Sequence, residues 1–288
     1  MKLTHLQLGI QYPEKTIAFY VEVLGMLHID TIVEPELTTY VLQFKARGLK
    51  LELLHEKHAH GIGIYQEKRL DNYWKFSLFV SDIERIYGIM HNKRYTIGEA
   101  YQFRNIGYLS HTKDPENHQI EFIQKTFKFK GSSIAPNSTY PLLECPEFGL
   151  ITIRSKDPLK SIRFYESIFE MKLYVRMYVD RGNGFTLYFL GKKELQVPNL
   201  DIDAIENREW MYQQKEIFIE IQHYWGSEYD KNFALGNTEP LGFRAMVFHI
   251  SSLRTLKEKL EKAHIPMKES FTKEKYIISP DGHRITFR

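Results

Sequence analysis

The 288-residue sequence has one cysteine, Cys145, a formal net charge of only +3, and no long apolar run. A single cysteine excludes an intramolecular disulfide framework and fits a reducing compartment. The basic residues are scattered, so charge gives no reason to expect nucleic-acid binding. No apolar stretch approaches the roughly 20 residues of a membrane span, and the start does not resemble a signal peptide. We therefore predict a cytoplasmic protein with neither nucleic acid nor membrane as a partner.

The two halves of the sequence begin alike. Residues 3–26 and residues 148–171 share a strand-like start and a helical continuation, and each contains a Phe-Tyr pair, Phe19-Tyr20 and Phe164-Tyr165. The composition, 43% hydrophobic and 26% charged, is that of a globular protein long enough for about two domains. The repeat predicts a duplication, and duplicated units commonly build a site between them.

The first half divides again into two units with the order βαβββ, which we call modules. In module one, residues 4–10 alternate polar and apolar side chains, as a strand with one packed face does. Pro13 suits the first turn of a helix and Gly25 suits its end. Strand-like residues 38–45 and 49–54 complete the unit. Module two has strands at residues 74–80, 107–112 and 119–123, with a helix at residues 82–91.

The second half repeats this organisation. Module three runs from a strand at residues 149–154, through a helix begun by Asp157 and Pro158, to a strand at residues 216–222. Module four runs from residue 243 to residue 288. Residues 128–139 are polar and rich in turn formers, which indicates a linker. We predict an α+β fold of four βαβββ modules in two domains, residues 1–127 and residues 141–288.

This order of modules resembles the vicinal oxygen chelate superfamily, which contains glyoxalase I, extradiol ring-cleavage dioxygenases and bleomycin-resistance proteins. The second half resembles glyoxalase I in particular, through five segments in the same order: KDPLKSIRFY, FTLYFLG, IEIQHYWGSE, GNTEPLGF and SPDGH. The resemblance covers nearly the whole chain. It implies two glyoxalase-like domains in which paired modules form a cup around a divalent metal ion.

In that superfamily, inward residues on the first and last strands of each module supply the metal ligands. The matching positions, module by module, are His5 and Glu52, Lys75 and Glu121, Leu150 and Glu220, and Ala245 and Thr286. Four of these eight positions, Lys75, Leu150, Ala245 and Thr286, carry no group that the family uses as a ligand. This loss is the main departure from the family pattern.

The consequence depends on how the modules pair. If each half closes its own cup, the first cup gathers His5, Glu52 and Glu121, a set that could bind Zn, Ni, Co, Mn or Fe. Lys75 at the same rim would compete by placing an ammonium near the carboxylates. If modules one and four pair, and two and three pair, no cup keeps a complete set. A metal-free protein is therefore as compatible with the sequence as a metalloprotein.

Further polar residues fall on inward positions. The resemblance implies Glu52 or Glu121 as the base that moves a proton, and we add His111 as a catalytic candidate because histidine titrates near neutrality. Predicted substrate-binding residues are Lys75, Arg154, Tyr276 and His249. For His111 and His249 the alternative is a histidine in a polar pocket wall. For Arg154, which matches a glutathione-contacting arginine of glyoxalase I, the alternative is a structural ion pair with a glutamate such as Glu220.

Three functions follow from these residues. The first is a glyoxalase-type lyase, in which a metal polarises vicinal oxygens and Glu52 or Glu121 moves the proton. The second is a binding or resistance protein that holds a small molecule without metal. The third is an extradiol dioxygenase, which needs two histidines and one carboxylate on iron. In each case we expect a small-molecule ligand and a monomer or homodimer, with the ligand itself not specified by the sequence.

Overall fold

The computed structural model describes residues 1–45, 48–57, 63–130, 135–270 and 273–288. The first half contains two βαβββ modules, as predicted. Module one consists of β1 (Lys2–Gly9), α1 (Pro13–Ala18) with a π-helical continuation (Phe19–Val23), β2 (Met26–Val33), β3 (Leu37–Phe44) and β4 (Lys50–Glu56). Module two consists of β5 (Tyr73–Val80), α2 (Ile83–Asn92), β6 (Tyr101–Phe103), β7 (Gly107–Lys113) and β8 (Gln119–Gln124), followed by a 3-10 turn (Lys128–Lys130).

The second half repeats the pattern with one addition, a short helix before the last strand of module three. Module three consists of β9 (Glu147–Ser155), α3 (Pro158–Phe169), β10 (Met171–Val179), β11 (Phe185–Lys192), α4 (Glu206–Tyr212) and β12 (Phe218–Tyr224). Module four consists of β13 (Gly242–His249), α5 (Leu253–Lys262), β14 (Lys268–Glu269), β15 (Lys275–Ile278) and β16 (Arg284–Phe287). The four-module α+β fold is confirmed.

The strands form two eight-stranded sheets, and each sheet joins modules from opposite halves. One has the order β14-β15-β16-β13-β1-β4-β3-β2, so module one pairs with module four. The other has the order β10-β11-β12-β9-β5-β8-β7-β6, so module two pairs with module three. Both predicted domains contribute strands to both sheets, and the limits 1–127 and 141–288 stay a prediction.

The pairing in which each half closes its own cup is therefore wrong. At the junctions β1 runs antiparallel to β13, with Leu6 opposite Met246, and β5 runs antiparallel to β9, with Phe76 opposite Ile151. All four side chains are buried in one apolar cluster, which also takes residues from α2, α3 and α5. The swapped arrangement thus gives both sheets a common core.

Turns in modules two and four hold each half together. Helix α1 has no side-chain cap of its own, and Glu116 supplies one, accepting hydrogen bonds from the Tyr12 amide (2.5 Å) and the Thr16 hydroxyl (3.1 Å). In the second half Asp281 accepts a hydrogen bond from the Lys156 amide (2.8 Å), at the start of the α3 segment. Each module therefore contacts one partner through its sheet and another through a turn.

The faces of the sheets opposite the core are available for binding sites. Leu51 and Leu53 belong to the core cluster, whereas the intervening Glu52 points to the other face of β4, as strand alternation predicts. Among the described residues, no helix is long and apolar enough to span a membrane.

Candidate functional site

The sheet of modules two and three encloses the larger cavity, about 540 Å³, which we call the large cup. Strands β5, β7, β8, β9, β11 and β12 all contribute side chains to it. Its walls are apolar and aromatic, and its buried floor is polar. The aromatic lining consists of Trp74, Tyr101, Phe103, Phe185, Phe189, Tyr212 and Tyr224. A cavity of this size and composition is typical of a small-molecule site.

The floor of the large cup is built around a buried lysine. The Nζ of Lys75 contacts Glu121 Oε2 and lies 3.5 Å from Glu220 Oε2. The Ser77 hydroxyl donates to Glu121 Oε2 at 2.6 Å, and the Thr152 hydroxyl donates to Glu220 Oε2 at 2.7 Å. Lys75 is only 2% exposed. The ammonium thus lies beside both of these carboxylates, Glu121 and Glu220, whose positions were predicted from the sequence to face the cup.

Strand register explains why these side chains meet. Ser77 lies opposite Glu121 in the β5–β8 pair, Lys75 lies opposite Thr152 in the β5–β9 pair, and Thr152 lies opposite Glu220 in the β9–β12 pair. Side chains in register on neighbouring strands point to the same face of the sheet. Two of the four strands involved, β5 and β9, form the swapped junction, so the cluster exists only because modules two and three pair.

The charges of the cluster depend on one another. Burial opposes the charge on Lys75, but the attraction of Glu121 and Glu220 outweighs it and raises the pKa of Lys75. Burial also opposes ionisation of Glu121, yet Lys75 and His111 hold its pKa well below the usual range. Burial raises the pKa of Glu220 despite the attraction of Lys75. The cluster is therefore a lysinium ion paired mainly with the Glu121 carboxylate.

His111 connects this cluster to the cavity. Its Nε2 lies 3.1 Å from Glu121 Oε1, and its side chain is 34% exposed and lines the large cup. An imidazole held by a carboxylate can take up a proton and be stabilised as the imidazolium. The structure therefore brings together His111 and Glu121, two of the three predicted catalytic residues. The third, Glu52, lies in the other sheet.

Glu52 and His5 lie in the other sheet, beside Arg288. Glu52 accepts hydrogen bonds from Arg288 Nη1 (2.5 Å) and Nη2 (3.2 Å) and from Gln7 Nε2 (2.7 Å). Burial opposes ionisation of Glu52, but Arg288 and Gln7 lower its pKa. His5 Nε2 is 3.7 Å from Glu52 Oε1, and burial lowers the pKa of His5 to about 4. Here too a basic side chain of the protein binds a carboxylate that was predicted to bind a metal ion.

A second cavity of about 320 Å³, which we call the small cup, opens on this sheet and is lined by Gln7, Arg244, Glu274, Arg284 and Arg288 among others. Its arginines face acidic partners, since Arg244 binds Glu56 at 2.6 Å and Arg288 binds Glu52. Of the other predicted substrate-binding residues on this sheet, Tyr276 stacks under Arg284 at 4.1 Å. His249 is exposed at the end of β13 and lines neither the large nor the small cup.

The residues do not fit a divalent metal ion. The predicted set of His5, Glu52 and Glu121 is divided between the two sheets, because module one pairs with module four. Within the part of the chain that the structure describes, no three His, Cys, Asp or Glu side chains are placed to hold a metal. Lys75 and Arg288 instead supply the positive charge at the carboxylates.

Arg154 lies beside the large cup and is fully engaged within the protein. Its Nη1 donates to the carbonyls of Asp71 and Tyr73 (both 3.0 Å), its Nη2 to Glu67 Oε1 (2.9 Å), and its Nε to Gln222 Oε1 (3.0 Å). It is 3% exposed and does not line the cavity. The glutamate it pairs with is Glu67 rather than Glu220, so the guanidinium anchors the segment before β5. Its predicted contact with substrate stays a prediction.

Several residues of the site were missed by sequence reasoning. Ser77 lies two residues after Lys75 on β5, and Thr152 lies two residues after Leu150 on β9. The period-2 pattern of strands could therefore have found both. Arg288 has no such signal, because it reaches Glu52 from another module. Arg69 and Arg181, which lie on connecting segments, also line the large cup and had no local pattern to mark them.

Comparisons with known proteins all find glyoxalase-related proteins. Residues 2–122 match the family model of the Glyoxalase/Bleomycin resistance protein/Dioxygenase superfamily. The chain is 30% identical to a lactoylglutathione lyase of Pseudomonas aeruginosa over 142 residues, which cover 47% of this chain and 78% of that protein. It is 26% identical to glyoxalase I of Saccharomyces cerevisiae, with 98% of this chain and 90% of the yeast protein covered.

The fold has a counterpart among crystal structures. Glyoxalase I from Zea mays superposes with a TM-score of 0.69 at 16% identity, over 99% of this chain and 91% of the maize chain. At that level of identity the likeness concerns the fold alone.

Proposed function

Because the chain belongs to the glyoxalase/bleomycin resistance protein/dioxygenase superfamily and is homologous to glyoxalase I, we propose that it binds a small organic molecule in the large cup without a metal ion. The observation that carries this proposal is the Lys75 ammonium between Glu121 and Glu220. It supplies the positive charge that a divalent ion would otherwise bring to these carboxylates.

Electrostatics favour the lysine over a metal at this place. A divalent ion held by Glu121 and Glu220 would lie within a few ångströms of the buried ammonium, at a repulsion on the order of several kcal/mol even with effective dielectric screening. Lys75 has little room to withdraw, since it is 2% exposed and packs 4.8 Å from the centre of the Trp74 ring. The ammonium is thus held in place beside the carboxylates.

A second candidate is metal-independent proton transfer in the same cup. It rests on the 3.1 Å contact between His111 and Glu121, which gives a carboxylate-held imidazole facing the cavity. His111 would accept a proton from a carbon acid, and Glu121 would stabilise the imidazolium. A dioxygenase receives no such support, because neither cup combines two histidines with a carboxylate among the described residues.

The test begins with metal content. Protein purified without chelator should contain well under one transition-metal atom per chain by inductively coupled plasma mass spectrometry. Turnover of the hemithioacetal of methylglyoxal and glutathione should not increase on addition of Ni²⁺, Zn²⁺ or Co²⁺. A stoichiometric metal, with lyase activity that a chelator removes and metal restores, would contradict the proposal.

Binding and catalysis are then separated with one variant. A fragment library screened by ligand-observed NMR should give binders of the wild-type protein. His111→Gln should keep these binders, whereas any proton exchange from bound carbon acids into D₂O should disappear. Binding without exchange in the wild type would leave the binding function and eliminate the second candidate.

A further inference from the structure

Two arginines that have no acidic partner in the described part of the chain are exposed where they line the large cup. Arg69 precedes β5 and Arg181 follows β10; both line the cavity and both are exposed. Neither makes an ion pair with any described residue. The nearby Asp180 is exposed and does not line the cavity. Two unpaired guanidinium groups at one opening make it attractive to an anion.

The side chain of Arg69 and the backbone of Arg181 are each supported by neighbouring residues. The Arg69 guanidinium packs 5.0 Å from the centre of the Tyr224 ring. Arg181 begins a tight turn in which the Gly184 amide donates to the Arg181 carbonyl (3.1 Å). Gly184 has a φ of +72°, and a Cβ there would lie 2.2 Å from the Trp225 ring, so the turn is packed against that indole. Preorganisation of this kind reduces the entropy cost of binding.

The walls between mouth and floor select a flat, apolar body. The aromatic lining named above is joined by aliphatic side chains, Ile106, Leu109, Ile123, Leu150, Val179 and Leu187. Aromatic rings bind other rings by stacked or edge-on contacts as well as by burial of apolar area. A ligand that fills the cup therefore presents an aromatic or similarly planar surface to it.

The floor excludes an anionic group. It holds the Lys75 ammonium against two carboxylates, Glu121 and Glu220, so it offers no net positive charge to a ligand. A carboxylate placed there would be repelled and desolvated without compensation. Gln222 and His111, which also line the cup, can hydrogen-bond a neutral group. The two ends of the cup thus differ in the charge that they accept.

We infer that the ligand of the large cup is a flat aromatic molecule with one anionic group, held with the anion at Arg69 and Arg181 and a neutral end at the floor. This inference rests on the proposed binding function and specifies its ligand class. Aromatic carboxylates, sulfonates and phosphate esters share the required chemistry.

A matched pair of probes tests it. Binding of 2-naphthoate and of the neutral 2-naphthalenemethanol is measured by isothermal titration calorimetry at low and high salt. At low salt we expect 2-naphthoate to bind about tenfold more tightly than 2-naphthalenemethanol. At high salt, screening should reduce this difference in affinity. Arg69→Gln and Arg181→Gln should each weaken 2-naphthoate about threefold, the size expected for an exposed ion pair, and leave the alcohol unchanged.

Two kinds of control locate the effect. Arg163→Gln removes an exposed arginine on α3 that does not line the cavity, and it should change neither affinity. Leu150→Trp or Val179→Trp fills the cup, and whichever variant keeps the wild-type circular dichroism spectrum should lose both probes. Probes that still bind to a filled cup would place their site elsewhere and overturn the inference.

The remaining outcomes separate this inference from the proposed function. Equal affinity for both probes, unchanged in the arginine variants, would overturn the charge preference and leave metal-free binding in the cup standing. Failure of both probes while other library fragments bind would overturn the aromatic class alone. Failure of every probe and fragment would remove the proposed function as well.

Discussion

Lys75 is the residue on which the chemistry of the large cup depends. Its charge is stabilised by Glu121 and Glu220 in a buried floor, and each carboxylate accepts a hydrogen bond from a hydroxyl, Ser77 or Thr152. A buried charge of this kind is costly to leave unpaired. Substitutions in the cluster therefore change the binding properties of the whole floor rather than one contact.

Replacing Lys75 by histidine should convert the floor into a metal site. The substitution removes the ammonium and places a neutral imidazole beside Glu121, Glu220 and His111, which is a ligand set suited to Zn²⁺, Ni²⁺ or Co²⁺. We expect affinity for these ions to rise by about tenfold or more over wild type in calorimetric titrations. Lys75→Met, which removes the charge without adding a ligand, is the control. Equal or weaker binding by Lys75→His would show that Lys75 does not limit metal binding.

His5 should make the stability of the protein fall at mildly acidic pH. Burial lowers the pKa of His5 to about 4 from an ordinary value of 6.5, against the attraction of Glu52. Between these pH values the unfolded chain binds a proton that the folded chain does not, so the free energy of unfolding decreases as pH falls. The full contribution is on the order of 3 kcal/mol.

The measurement is urea unfolding between pH 7 and pH 4.5 for wild type and for His5→Gln. The variant should lose part of the pH dependence in this window, and His28→Gln, an exposed control on β2, should not. NMR titration of the His5 ring should show an apparent pKa well below 6. A ring that titrates at 6.5 or above would contradict the assignment.

At the scale of elements, helix α1 depends on a turn from another module. The carboxylate of Glu116 accepts from the Tyr12 amide and the Thr16 hydroxyl, and it is fully buried. The same turn places His118 Nε2 2.9 Å from the Gly9 carbonyl. A helix with no cap from its own flanking residues is thereby completed by tertiary contact.

Glu116→Ala should therefore destabilise the protein by about 1–3 kcal/mol, since it leaves a partly buried amide and a buried hydroxyl without their acceptor. The midpoint of urea unfolding reports this loss. Amide hydrogen exchange should accelerate most, relative to wild type, in residues 12–18. Glu22→Ala, at an exposed position on the same helical segment, should stay within about 0.5 kcal/mol of wild type. If the two substitutions changed the free energy of unfolding equally, Glu116 would not be the cap of α1.

At the scale of the whole molecule, the two halves are interlocked. Each sheet takes four strands from modules one or two and four from modules three or four, and one apolar cluster spans both sheets. A half expressed alone would expose the free edges of β1 and β5, which the other half covers in the intact chain.

Neither residues 1–130 nor residues 137–288 should fold as a monomer. We expect isolated halves to aggregate or to associate with copies of themselves, and co-expressed halves to assemble into a heterodimer with the circular dichroism spectrum of the intact protein. Size-exclusion chromatography with light scattering and two-dimensional NMR will show this. A dispersed spectrum from a monomeric half would mean that modules can pair within a half, contrary to the observed sheets.

The sequence by itself determined the modules and the direction of most side chains. The Phe-Tyr repeat and the starts at Pro13 and at Asp157-Pro158 are local signals, and they placed α1 and α3 correctly. Strand alternation turned Glu52, Glu121 and Glu220 away from the core, because a period of two depends only on the backbone. Strand β2 was not predicted, since its side chains are almost all exposed and give no alternation, and α4 lies in an insertion that the repeat does not contain.

Only the tertiary structure decided which modules share a sheet, and with that the composition of each cup. β1 and β5 present similar apolar faces, so local pattern cannot tell whether β1 joins β5 or β13. That choice depends on the free energy of the complete core and of the turns that contact α1 and the segment before α3. Its outcome brings Lys75 to Glu220 and Arg288 to Glu52, contacts between distant modules that no local period encodes.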